Sequence, residues 1–429
     1  MFRPSHAFFI FFLFLLIACT PPLVVIEEPQ TPMPPRAPRT LQVEREVFHQ
    51  QLIHDTIEDA LRDSLRRESE DRWKGAFWGM ELARYRSSVT DSAIIAASVV
   101  FSDRSRSFQR AYLQVLYALY PSEFHDQVLR WLPDFQHPKL FAMAAYYLLL
   151  NDLEAKEQDL LMSLSADRLI ESDGHPIMMI LRNDLALLER EHPPNPPLYD
   201  LLHHDFNGHP VLFSFQPMNR NYSGVVVVRD SAGNWLADSL GMVAARQLAR
   251  SGSNLPWILT NGNTPPGIYS FQGFDVSTNV FIGPTPNLQL VMPHEVAPEV
   301  YFHGAPVDSI WNLDDLMALL PESWSSYLPA AGTWFAGKAG RGEIIAHGTT
   351  INPDYYADEP YYPLTPSLGC LTGLERWSPE TGNPIESDQA RLVAALQQAG
   401  IGSGYLMVVE LTGIEHNLTI AEIHNLIAQ

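Results

Sequence analysis

The sequence predicts an α+β chain, with an all-α, solenoid-like N-terminal half followed by a β-rich C-terminal half. Three observations carry that prediction. Apolar residues recur densely at helical spacing through Phe108–Leu119 and Phe141–Leu150. Four prolines at positions 193, 194, 196 and 197 then stop any helix. Beyond them the texture changes to short apolar runs broken by turn residues, as in Gly224–Val228, Asp230–Asn234 and Trp235-Leu236.

The helical half is expected over 43–190. Its first stretch, Val43–Arg72, is highly charged and reads as an amphipathic helix with one solvated face. Pro121 and Pro138 sit where first turns of helices tolerate proline. Breaks at Tyr120-Pro121, Pro133-Asp134 and Asn151-Asp152 suggest stacked helical pairs, without a clean internal repeat. No set of residues in this half carries chemistry, so a docking or spacing role, with a protein partner, is the expectation for it.

After a linker over 191–199, residues 200–429 form the second unit. Strands are expected at Gly224–Val228, Trp257–Thr260, Ile268–Phe271, Leu288–Met292, Glu343–His347 and Tyr405–Leu411. Ser387 or Asp388 caps a helix that runs through Ala399 and stops at Gly400. Ile310–Tyr327 reads either as a helical lid or as a surface insertion.

Composition narrows the function. A hydrophobic content of 46% with 18% charged residues describes a globular chain rather than a disordered one. The net charge of −21 argues against nucleic acid, whose phosphates require clustered Lys and Arg. It also disfavours an electrostatic hold on anionic lipid.

The first residues offer another membrane tie. Arg3 precedes an apolar run, Phe8–Ile17, about half of the ~20 residues needed to cross a bilayer, and Pro21-Pro22 follow at once. Residues 1–18 therefore read as a signal peptide. Its end, Leu16-Ile17-Ala18-Cys19, resembles the bacterial lipobox, which implies cleavage before Cys19 and diacylglycerol on its sulfur. Acyl chains contribute ~0.8 kcal/mol per buried CH₂, so two or more make a stable anchor. Residues 19–42, rich in proline, read as a tether. Thr20 is not an Asp that would retain a lipoprotein in the inner membrane, which by analogy favours the outer membrane, facing the periplasm.

The chain's other cysteine, Cys370, sits in the most informative stretch. Ile344-Ile345-Ala346-His347-Gly348-Thr349 delivers a histidine to a strand end, where Gly348 permits a turn. A loop with Tyr355, Tyr356, Tyr361 and Tyr362 follows, then Ser367-Leu368-Gly369-Cys370-Leu371-Thr372. A free thiol titrates near ~8.5 and is mostly protonated at neutral pH. A nearby imidazolium would lower that value and make the thiolate dominant, with His347 later returning the proton to a leaving amine. Backbone N–H groups of Gly369 and Cys370 are candidate oxyanion donors.

His-Gly-Thr, a variable loop and Ser-x-Gly-Cys resemble the signature of L,D-transpeptidases of the YkuD type. Thr264-Pro265-Pro266-Gly267-Ile268-Tyr269 resembles that family's upstream Thr-Pro-x-Gly turn, and the hairpin around Asp230–Asn234 fits its opening strands. The resemblance covers Tyr222 to Leu411. It implies a β-sandwich-like catalytic fold and a thioester on Cys370, with His347 as general base. It implies peptidoglycan stem peptides as substrates, a second stem amine, a protein lysine or water as acceptor, and no metal or organic cofactor. Gly369, Ser367, Gly348 and Thr349 are the candidate oxyanion and substrate-binding residues. One departure stands out: the family commonly places arginine two residues after the nucleophile, where this chain has Thr372. Arg376 is the nearest candidate to replace it.

Two further readings stay open. The same site acting with water gives an L,D-carboxypeptidase or a hydrolase of wall-protein crosslinks. A catalytically inactive fold gives a wall-binding scaffold. Elsewhere, His203, His204, Asp205 and His209 read as a solvated loop rather than a zinc site. His294 and His303 read as polar loop residues, and the four loop tyrosines as either groove lining or packing. Ser367 reads as a turn former as readily as a donor near the nucleophile.

Overall fold

The computed structural model describes residues 23–25, 39–188, 190 and 192–428. The signal peptide, the lipobox with Cys19 and most of the tether lie outside the described residues.

Helices fill the first half. The amphipathic segment begins as α1 (Gln42–Gln51), widens into a π-helical stretch over Leu52–Glu58 and closes at Asp59–Arg62. It ends earlier than the charge pattern suggested, because Asp63 and Arg66 turn to extended backbone. There follow α2 (Glu70–Ala83), α3 (Ser88–Val100), α4 (Arg106–Leu119), α5 (His125–Trp131), α6 (Pro138–Leu148), α7 (Ala155–Glu171) and α8 (Pro176–Leu187). Local chemistry sets their starts. Ser87 accepts a bond from the N–H of Thr90, Ser105 from that of Phe108, and Pro138 and Pro176 occupy first-turn positions. Phe77, Phe101, Phe108, Tyr112 and Trp131 interlock as edge-on and stacked rings at the centre of this half.

The second half is built around a closed set of eight strands: β1 (Val211–Pro217), β2 (Gly224–Arg229), β3 (Ala244–Leu248), β4 (Gly267–Asp275), β5 (Asn287–Val291), β6 (Ile345–His347), β7 (Leu371–Gly373) and β8 (Gly404–Leu411). They pair in the order β2-β1-β8-β4-β5-β6-β7-β3, and β3 returns to β2, so the sheet closes on itself as a barrel. Two of the pairings, β8 with β1 and β6 with β7, are parallel. The chain is thus α+β, with the helical region first and a β-barrel second.

Strand alternation divides the barrel residues between two cores. Leu212, Val226, Ala245, Tyr269, Leu288, Ala346, Leu371 and Leu406 pack together with α9 (Asp388–Gln398). Their neighbours Phe213, Val225, Ile268 and Met407 join a larger core that runs without interruption into the helical half. The two halves are therefore not beads on a string.

Two sequence expectations are corrected and a third gains detail. Trp257–Thr260 is not a strand but a turn, with Ile258 and Leu259 buried and the Leu259 N–H bonded to the Pro256 carbonyl. The region 310–327 is no lid: Leu316, Leu319 and Trp324 are buried in the shared core, and Trp324 donates its indole N–H to the Pro197 carbonyl. The proline linker is itself docked, Asn195 donating to the Glu410 carbonyl at 2.6 Å.

Candidate active site

His347 ends β6 and Cys370 immediately precedes β7, its parallel neighbour. The ladder pairs Ala346 with Leu371 and His347 with Thr372. Ala346 and Leu371 point into the core beneath α9, so alternation turns His347 and Thr372 to the opposite face. Cys370 stands two residues before Thr372 at the mouth of the strand, and its thiol donates to the Glu343 carbonyl at 3.6 Å. The base candidate thus ends one strand and the nucleophile candidate leads into its neighbour, though the loop between them spans 348–369.

His347 is buried, and its Nδ1 lies 2.7 Å from the carbonyl of Gly348. A carbonyl only accepts, so Nδ1 carries the hydrogen and the neutral ring keeps its lone pair on Nε2. Burial pushes the imidazole down to about 4, against a small upward pull from the Gly348 bond. The Cys370 residue is partly exposed, but its sulfur is desolvated. Desolvation pushes the thiol up to about 11, opposed by the Ile345 backbone and by the positive charge of Arg341.

Burial thus disfavours the charged form of each group. This works against the expected resting thiolate–imidazolium pair before a substrate arrives. A neutral imidazole with its lone pair on Nε2 is a form that can accept a proton.

The cation beside the nucleophile is not the one expected from the sequence. Arg376 is exposed on a separate hairpin, Glu375–Trp377 with Pro384–Ser387, where it faces Glu386 at 3.6 Å. Arg341 takes the place. Its guanidinium is buried and donates to the carbonyls of Trp257, Asn263 (2.8 Å) and Gly262 (3.0 Å). A Cβ at Gly369, whose φ is 122°, would collide with Arg341 Nη2 and with the Gly262 carbonyl. Burial lowers Arg341 to about 10, so it remains charged at neutral pH. Thr372, meanwhile, is buried, pairs with Leu248 and donates its hydroxyl to the Thr365 carbonyl at 2.7 Å. Arg341 sits 29 positions before Cys370, outside the motif, and nothing in its local sequence marks it.

The other candidate residues shape the loops more than they face a substrate. The Gly369 N–H, proposed for an oxyanion, donates to Ser367 Oγ at 3.0 Å, and Ser367 Oγ donates to the Cys370 carbonyl at 2.9 Å. Of that pair, the N–H of Cys370 remains the candidate oxyanion donor. Thr349 is buried, its Oγ1 receiving the Thr365 hydroxyl and the Ile351 N–H. Gly348 is backed by the carboxyl of Glu375, which a Cβ there would strike. Tyr356 and Tyr361 are packing residues, buried with Leu248, Leu364 and Leu374, while Tyr362 is exposed.

Outside the site, His203 Nδ1 bonds the Tyr199 carbonyl, and His303 Nε2 lies 2.7 Å from the Gly404 carbonyl. Among the described residues no cluster of three His, Cys, Asp or Glu side chains is placed to hold a metal ion. Nor is any described helix long and apolar enough to cross a membrane.

Fold and site together define an α+β protein whose barrel places a histidine at the end of one strand and a cysteine just before its neighbour. Comparisons with family models, with curated proteins and with solved structures return no match for this chain. The resemblance to a family therefore rests on its motif residues.

Proposed function

We propose that the chain is a cysteine acyltransferase of the L,D-transpeptidase type that remodels peptidoglycan, tethered in the cell envelope through lipid on Cys19. The observation that supports this most is the parallel ladder that sets His347 beside the strand led by Cys370, with Nδ1 tied to a carbonyl so that Nε2 is left basic.

In this reading Sγ of Cys370 attacks the carbonyl carbon after the third residue of a stem peptide while Nε2 of His347 takes the thiol proton. Collapse of the tetrahedral oxyanion breaks the C–N bond, and the same proton passes to the departing D-amino acid. An amine or water then attacks the thioester, giving up its own proton to Nε2, which returns it to sulfur. Arg341 supplies fixed positive charge beside the sulfur at every stage, and the Cys370 N–H is offered to the oxyanion.

The test is mass spectrometry of the Cys370 peptide after exposure to a tetrapeptide muropeptide. An acyl adduct, lost in Cys370→Ala, is expected; an unmodified cysteine would remove the proposal. Products then separate the variants of the reading: crosslinked stems for a transpeptidase, shortened stems for a hydrolase.

A further inference from the structure

Behind the His347–Gly348 turn lies a carboxyl group that the mechanism above does not use. Glu375 begins the short hairpin that follows β7, and its side chain is buried. Oε1 accepts the hydroxyls of Thr285 and of Ser387, the latter at 2.8 Å. Ser387 is also the residue that caps α9. Oε2 has no hydrogen-bond partner among the described residues. It rests instead against two glycines, since a Cβ on either Gly283 or Gly348 would collide with it.

Those glycines are themselves joined. Gly283 donates its N–H to the Gly348 carbonyl at 2.9 Å, the same carbonyl that receives His347 Nδ1. One oxygen of Glu375 therefore underlies the single bridge on which the orientation of the imidazole depends. The groups pulling on this carboxyl are the two hydroxyls and the Thr349 backbone, and burial outweighs them, pushing it up to about 7. A buried carboxyl without a cation is costly. An apolar side chain would fill the space with less penalty but would leave the Thr285 and Ser387 hydroxyls without their acceptor.

We infer that Glu375 is a positioning residue for His347: its carboxyl, anchored by Thr285 and Ser387, props the Gly283–Gly348 bridge whose carbonyl holds Nδ1. The inference rests on the reading of Cys370 and His347 as nucleophile and base. It extends that pair to a third group that acts through a peptide carbonyl rather than by touching the ring.

The experiment compares Glu375→Gln, which preserves length and acceptor, with Glu375→Asp, which preserves charge but withdraws the group by one methylene. In the full chain, the rate at which iodoacetamide alkylates Cys370 is followed against pH, alongside kcat and KM for a tetrapeptide donor. Glu375→Asp is expected to slow alkylation about tenfold near neutral pH, the scale of a small misplacement of a reacting group. Because the Gly348 bond raises the imidazole, its weakening should also move the acidic limb of the profile downward, and kcat should fall with little change in KM. Glu375→Gln should stay within about threefold of wild type. Wild-type profiles in both variants would overturn the inference, as would loss in Gln with retention in Asp, which would mean that charge rather than position matters. Alkylation is read without any peptidoglycan substrate. A wild-type chain that alkylates with a His347-dependent profile but forms no acyl adduct would sink the proposed function alone, leaving Glu375 to be judged on its own variants.

Discussion

The helical half and the barrel each bury a carboxyl group, and they employ it differently. Glu81 lies in α2, accepts the amide of Gln114 at 2.7 Å and is pushed up to about 8 by desolvation. Gln114 in turn accepts from Asn261, in the loop whose carbonyls cradle Arg341. Glu375, pushed up to about 7, instead abuts the backbone that orients His347. Similar burial gives one carboxyl that joins two halves and another that braces a candidate base. The perturbed titration alone distinguishes neither; the neighbours do.

The same contrast runs through the contacts between the halves. Tyr356, in the loop between His347 and Cys370, donates to the Leu82 carbonyl at 2.9 Å. Glu359 of that loop pairs with Arg84 at 2.8 Å. Lys139 donates to Thr260 at 2.7 Å on the other side of the site. The helical half thus grips both loops that flank the nucleophile, a structural role that the expectation of a spacer did not contain.

If the barrel holds the chemistry and the helices only support it, substitutions in the two should separate activity from stability. Cys370→Ala should show the largest effect, a loss of about 10³-fold or more in acyl transfer with an unchanged melting temperature. Phe77→Ala, at the centre of the aromatic cluster, should cost about 3–5 kcal/mol in urea unfolding while the folded fraction keeps its kcat. A kcat that collapsed in folded Phe77→Ala protein would break the division. Arg341→Gln belongs to both categories. It strands the carbonyls of Trp257, Gly262 and Asn263, costing about 3 kcal/mol, and removes the charge that favours the thiolate, so Cys370 alkylation should slow as well.

Glu81 makes a pH prediction whose sign follows from its raised value. The folded state holds the proton more tightly than the unfolded chain, so this stabilisation is complete below the ordinary carboxyl value of 4.5 and is lost as pH rises to about 8. The loss is on the order of 5 kcal/mol, and Glu81→Gln should flatten it when unfolding free energies are measured across that range. His347 acts in the opposite sense: its contribution is complete above 6.5 and is lost as pH falls toward about 4. The smallest change is expected for Tyr356→Phe, about 1 kcal/mol, since only one hydroxyl–carbonyl bond is lost. A larger drop in kcat than in stability there would mean that the helical contact also tunes the site.

What the sequence determined by itself was local. The helices with capping residues, such as the one opened by Ser387 and ended at Gly400, the proline boundary, the longer strands and the two motif cysteine and histidine positions all follow from residues close together in the chain. Three-residue strands such as β6 and β7 are too short to show a period, and the apolar Trp257–Thr260 run has the pattern of a strand because burial alone looks the same in a turn. Tertiary structure decided the rest: barrel closure, the choice of Arg341 over Arg376, the carboxyl of Glu375 beneath Gly348, and the desolvation of thiol and imidazole. Each of these depends on desolvation and on partners contributed by distant segments, and neither quantity is written in the spacing of residues along a single strand.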